Sequence, residues 1–157
     1  MLFQKISCVI LVVMSFGAPT LLSAEDILTI TTPKSTTSFT QEELLGMPQT
    51  TVVTLNDYVD DVTTFQGPSL RLLLEKLDIS QDATLKMVAL NGFSSDIPAS
   101  DAFNYSVVLA VLRNGKTMPV REKGPIWVIY PMDEHPELQS DIYNGRLVWQ
   151  LKSISVE

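Results

Sequence analysis

"FQGPSLRLLLEKL", residues 65–77, is the stretch on which the fold turns. A Gly-Pro break leads into a leucine-rich segment. Leu70, Leu73, Leu74 and Leu77 recur at the three- and four-residue spacing of one helix face. Pro68 stands where a first helical turn tolerates a residue without an N–H. The pattern predicts a helix over residues 69–78 with one buried side. It needs a sheet to pack against, and the flanking sequence supplies one.

Upstream, "QTTVVTL" (49–55) is β-branched and predicts a strand. "NDYVDDVTTFQGP" (56–68) is polar and acidic and predicts a loop. "DILTITT" (26–32) alternates apolar and polar residues, the period of a strand. "TPKSTTS" (32–38) predicts a loop. "TQEELLGMP" (40–48) sets Thr40 and Glu43 at capping-box spacing and closes on Gly46 and Pro48, which predicts one short helix.

Downstream, "TLKMVALNGF" (84–93) predicts a strand entering an Asn-Gly turn, and "SSDIPASDAFNY" (94–105) a short strand end and a helical turn. "SVVLAVLRNGKTMPV" (106–120) predicts a buried strand, a second Asn-Gly and a return strand, the strongest local signal of a hairpin. "PIWVIYP" (125–131) is a further strand. "MDEHPELQSDIYNGR" (132–146) is a polar loop with one helical turn, and "LVWQLKSISV" (147–156) a closing strand. No internal repeat or linker interrupts this order. The sum is a single α+β domain with a mixed, mostly antiparallel sheet and two main helices.

Composition narrows the function. The chain has 157 residues, 45% of them hydrophobic, which suits one domain with a packed core. Residues 1–24 run from a lysine through a short apolar run to small residues, the order of a secretory signal. Cleavage after Ala24 leaves residues 25–157 as the mature domain, exported to the periplasm. A retained N-terminal anchor is the alternative. Loss of residues 1–24 removes Lys5 and no acid, leaving ten basic against 18 acidic residues and a net charge of −8. Such a chain is repelled by nucleic acid and by anionic membrane surfaces. The one cysteine, Cys8, lies within the signal, so the mature domain has no thiol to form a disulfide or ligate a metal.

The landmarks "FQGPSLRLLLEKL", "ALNGF", "LRNGKTMPVREKGPIWVIYP" and "VWQLKSISV" follow in an order that resembles the oxidoreductase molybdopterin-binding domain. This is the fold of the sulfite oxidase and periplasmic methionine-sulfoxide-reductase family. The resemblance spans residues 49–157 and is nearest to short exported members made of this domain and little else. It implies a pterin site and, in catalytic members, molybdenum held by a dithiolene and one protein cysteine after the strand matching "TVVTL". Here Asn56, Asp57 and Tyr58 follow that strand. The family's His-Gly pair, then Pro, an apolar residue and Arg, also departs. Glu122 or Lys123 falls near the histidine position, and Trp127 stands at the arginine position.

Together the residues and the resemblance nominate Arg121, Lys123, Trp127, Asn56 and Asp57 as the cofactor-facing set. No catalytic residue and no metal ligand is nominated. Molybdopterin enters by resemblance alone, and no cofactor is expected through a thiolate. Arg121 and Lys123, with Lys116 and Arg113 nearby, form a positive island in an acidic chain. One reading makes it the mouth of a pocket for an anionic small molecule, walled by Trp127. The other makes it a solvated hairpin that protects a sheet edge. His135 reads as a surface-loop histidine without a helix-spaced metal partner, and "DYVDD" (57–61) as a solvated acidic loop with weak potential for a divalent ion. The expectation is an exported, non-catalytic ligand-binding or sensory module, an accessory to a membrane sensor or redox partner. A periplasmic molybdopterin oxidoreductase and a protein–protein interaction domain are the alternatives.

Overall fold

The computed structural model describes residues 24–157. Cys8 and almost the whole expected signal lie outside the described residues.

β1 (Asp26–Thr31) runs antiparallel to β2 (Thr36–Thr40). The loop expected at 32–38 is therefore shorter. Thr32 Oγ1 accepts from the N–H groups of Lys34 and Ser35 and closes the turn within four residues. The β-branched Thr36 and Thr37 are then free to extend. The capping box forms as the spacing predicts: Thr40 Oγ1 accepts from Glu43 N at 3.2 Å, and the Glu43 carboxylate accepts from Thr40 N at 2.8 Å. It starts α1 (Gln41–Gly46).

β3 (Thr50–Thr54) pairs antiparallel with β4 (Thr63–Gly67), with Val52 opposite Phe65. β4 corrects the loop expected over 56–68. Thr63, Phe65 and Gly67 alternate inward while Thr64 and Gln66 are half-exposed, a period-two pattern that the polar residues disguise. Gly67 is required there, because a Cβ would collide with the Leu109 carbonyl. α2 (Leu70–Lys76) follows, with Ser69 Oγ accepting from Leu72 N at 3.1 Å and Leu70, Leu73 and Leu74 buried. Each buried leucine contributes about 1.5–3 kcal/mol of apolar transfer.

β5 (Thr84–Ala89) and β6 (Ser94–Pro98) form the first Asn-Gly hairpin, followed by the one-turn α3 (Asp101–Asn104). β7 (Val108–Ala110) is buried. β8 (Leu112–Arg113) and β9 (Lys116–Thr117) form the second hairpin, whose Asn114 and Gly115 have φ of 49° and 76°. Two positive φ values in succession are what a two-residue hairpin turn demands. β10 (Trp127–Ile129) pairs antiparallel with β7, the one-turn α4 (Asp141–Asn144) follows, and β11 (Leu151–Val156) ends the fold. The closing strand begins four residues later than expected. Gln150, at φ 52°, breaks the extended run, so Trp149 bridges to Trp127 while Leu151 enters another sheet.

The strands form a five-stranded sheet in the order β2-β1-β11-β5-β6, a four-stranded sheet β3-β4-β8-β9, and the pair β10-β7. β1 and β11 are parallel and the other pairings antiparallel. The larger core lies between α2 and the five-stranded sheet, and the smaller gathers Val52, Phe65, Met118, Trp127 and Ile129. The α+β class with a mixed, mostly antiparallel arrangement is present. Its sheet is divided into three, and α3 and α4 join the two expected helices. Among the described residues, no helix is long and apolar enough to cross a membrane.

Candidate functional site

The exit of β3 is tied to a distant segment. Leu55 N donates to Asp133 Oδ2 at 2.9 Å across 78 residues, and Asp133 N donates to Thr54 Oγ1 at 3.2 Å. Asn56 Oδ1 accepts from Tyr58 N at 2.9 Å, which turns the chain away from the strand. Asp57 then accepts from Asn144 Nδ2 at 2.5 Å, bringing the loop against α4.

These ties border a half-open cavity of about 460 Å3. Asn56 and Met132 form its buried floor. Asp57, Asp60, Asp133 and Asp141 stand around it, and no lysine or arginine lines it. Two amide atoms of its lining residues, Asn56 Nδ2 and Asn144 Oδ1, are buried away from solvent without a partner. The other end of each amide is engaged, so neither flips without losing a hydrogen bond. A buried polar atom left unmatched costs about 1–3 kcal/mol, a cost carried here behind the cavity lining.

A buried polar cluster supports α4 from behind. Arg146 donates to Asp101 at 2.6 Å, and the Tyr130 hydroxyl donates to the same carboxylate oxygen at 2.8 Å. The Arg146 guanidinium also lies 4.7 Å from the centre of the Tyr143 ring. Burial, reinforced by the Asp101 charge, pushes the Tyr130 phenol well above its ordinary range and keeps it a donor. Sequence reasoning missed this cluster. Its members are 29 and 45 residues apart and follow no local motif.

The five nominated residues divide. Asn56 and Asp57 meet in the cavity. The Arg121 side chain is 84% exposed, with Nε 3.5 Å from Glu122. Lys123 places its ammonium 5.6 Å and 5.4 Å from the ring centres of Trp127 and Trp149. Trp127 is fully buried, packs edge-on against Phe65 at 5.3 Å and donates to the Leu147 carbonyl. Its ring faces the smaller core and not a cleft. Arg113 and Lys116 line a separate open depression that also includes Glu122. An aromatic bridge links the two regions, since Tyr58 packs on Trp149 at 4.8 Å and Trp149 carries Lys123.

His135 lies on the surface loop, 3.7 Å from Glu137 and against the Tyr105 ring. Among the described residues, no group of three or more His, Cys, Asp or Glu side chains is placed to hold a metal ion.

No family model matches the chain, and no curated protein sequence does. Among solved structures, the fold is similar to the sulfane dehydrogenase SoxCD from Paracoccus pantotrophus, with a TM-score of 0.60. The fold is sulfite-oxidase-like. Identity is 17%, and the likeness covers 82% of this chain and 37% of that one. At that distance it speaks for the fold alone. A molybdenum–pterin group, which the sequence resemblance implies, needs cations for its phosphate and a thiolate or equivalent soft ligand for its metal. The cavity offers carboxylates and amides, and the described residues contain no cysteine. They do not fit the group.

Proposed function

We propose that this chain is an exported ligand-binding module on a sulfite-oxidase-type scaffold, with its site in the cavity at the exit of β3. The observation that carries this reading is the half-open, mostly polar cavity of about 460 Å3 that Asn56 and Asp57 line there. The loop that would present a metal-binding thiolate presents an amide and a carboxylate instead. Such a loop binds by hydrogen bonds and charge and leaves soft-metal chemistry aside. The accessory role beside a membrane sensor or redox protein, and the periplasmic location, belong to the same proposal. They rest on the charge and apolar order of residues 1–24.

Molybdenum content tests the reading. Elemental analysis of protein isolated from its native cell envelope should find far less than one molybdenum per chain, and extraction should release no pterin. Near-unit molybdenum would overturn the module and establish the oxidoreductase.

A further inference from the structure

The outer face of the β3–β4 pair is apolar where a solvated sheet face is ordinarily polar. We infer that this face is the docking surface for a partner protein whose own contact is apolar and edged with lysine or arginine. The inference rests on the accessory role proposed above and adds the surface and the charge of the partner.

β3 alternates, with Val52 and Thr54 buried and Thr51 and Val53 exposed. Leu55 continues the outward set one step past the strand. Val62 stands across from it, because Thr54 pairs with Thr63 at the end of the ladder. Val53, Leu55 and Val62 are 49%, 42% and 61% exposed. They are three of the eight large apolar residues left exposed among the described residues, and the register brings them side by side. Apolar side chains left in water together mark a contact surface, whereas single ones do not.

Charge names the occupant. Asp57, Asp60 and Asp61 lie in the loop that joins Leu55 to Val62, and Asp133 accepts from Leu55 N. No lysine or arginine occurs from Gln49 to Gln66. The cations of this sheet, Arg113 and Lys116, pair with each other, and Arg113 pairs with Phe65. The register therefore sets both on the side of the buried Phe65, opposite Val53. A second copy of the chain would bring two sets of these carboxylates together, and an anionic membrane would be repelled by one. A partner with basic residues around an apolar anchor is attracted at the rim and buries the valines and leucine at the centre.

A photoreactive benzophenone side chain in place of Val62 of the full chain, expressed in its native host, tests the inference. The control replaces Phe93, which is 50% exposed at the turn of the β5–β6 hairpin in another sheet. Irradiation should link position 62 to a different protein, at a residue flanked by lysine or arginine, and give little adduct at position 93. Val53→Thr/Leu55→Thr puts strand-compatible polar residues on the face. It should lower the yield at position 62 about fivefold or more, as loss of a central apolar contact does, with the melting temperature nearly unchanged. Linkage to a second copy of this chain, or to an acidic segment, overturns the partner assignment. A yield that Val53→Thr/Leu55→Thr leaves intact overturns the surface, and so does absence of linkage at position 62. Position 93 then separates the two readings: linkage there keeps the accessory role at another surface, and silence there removes its support.

Discussion

The loop at 113–123 and the cavity beyond β3 carry opposite charge and are assembled differently. Arg113, Lys116, Arg121 and Lys123 lie within eleven residues of one another, yet the four do not converge on one site. Arg121 points into solvent, Lys123 lies on two indoles, and the other two border an open depression. Asp57, Asp60, Asp133 and Asp141 are scattered along the chain, yet they surround one volume. Closely spaced like charges on a short hairpin separate into water, where solvation is strongest. The depression at the loop is lined by one local segment, whereas the cavity joins distant segments, held by Leu55 N donating to Asp133 and Asp133 N donating to Thr54 Oγ1. Density of charge along a sequence therefore says little about where a charge-selective pocket lies.

The strongest way to break this contrast is to remove the support of the cavity. Arg146→Met leaves Asp101 buried with the Tyr130 hydroxyl as its remaining partner. Deleting one member of a buried ion pair costs about 3–5 kcal/mol. For a domain of this size that lowers the melting temperature by roughly 10–20 °C. Calorimetry should show the loss, with part of it recovered by adding Asp101→Asn. A drop within about 0.5 kcal/mol, the range of surface substitutions, would mean that α4 and its wall of the cavity are held by other contacts.

A smaller effect separates the two cations of the loop. Lys123→Ala removes an ammonium poised over Trp127 and Trp149 and should cost about 0.5–2 kcal/mol. Arg121→Ala removes a side chain that is 84% exposed and should stay within about 0.5 kcal/mol. Chemical denaturation of both variants checks the order. Equal losses would show that the indole contact carries no weight and that the loop is uniformly solvated.

Much of the fold was legible in local pattern. The leucine spacing of α2, the capping box of α1 and the Asn-Gly turns each encode their structure within a few residues. β4 was hidden because its inward positions include Thr63 and Gly67, which do not read as apolar. β2 was hidden by a turn that Thr32 closes early. The final strand was overextended because nothing in "VWQL" announces the left-handed Gln150. The site was half legible. Asn56 and Asp57 were singled out by their place after β3, and both reach the cavity. Asn144, Asp133 and the Asp101–Arg146 pair were not, because their roles arise from pairings across 45 to 87 residues.

Amide shifts in a nitrogen-15-labelled sample of the full chain, titrated in turn with a cationic probe, argininamide, and an anionic one, sulfate, test most directly whether the acidic cavity or the positive loop takes a ligand. Argininamide should move the resonances of Asn56, Tyr58 and residues 139–144 and leave residues 113–123 in place. Shifts centred on residues 113–123, produced by sulfate while the cavity resonances stay fixed under argininamide, would contradict the account and make the positive loop the site.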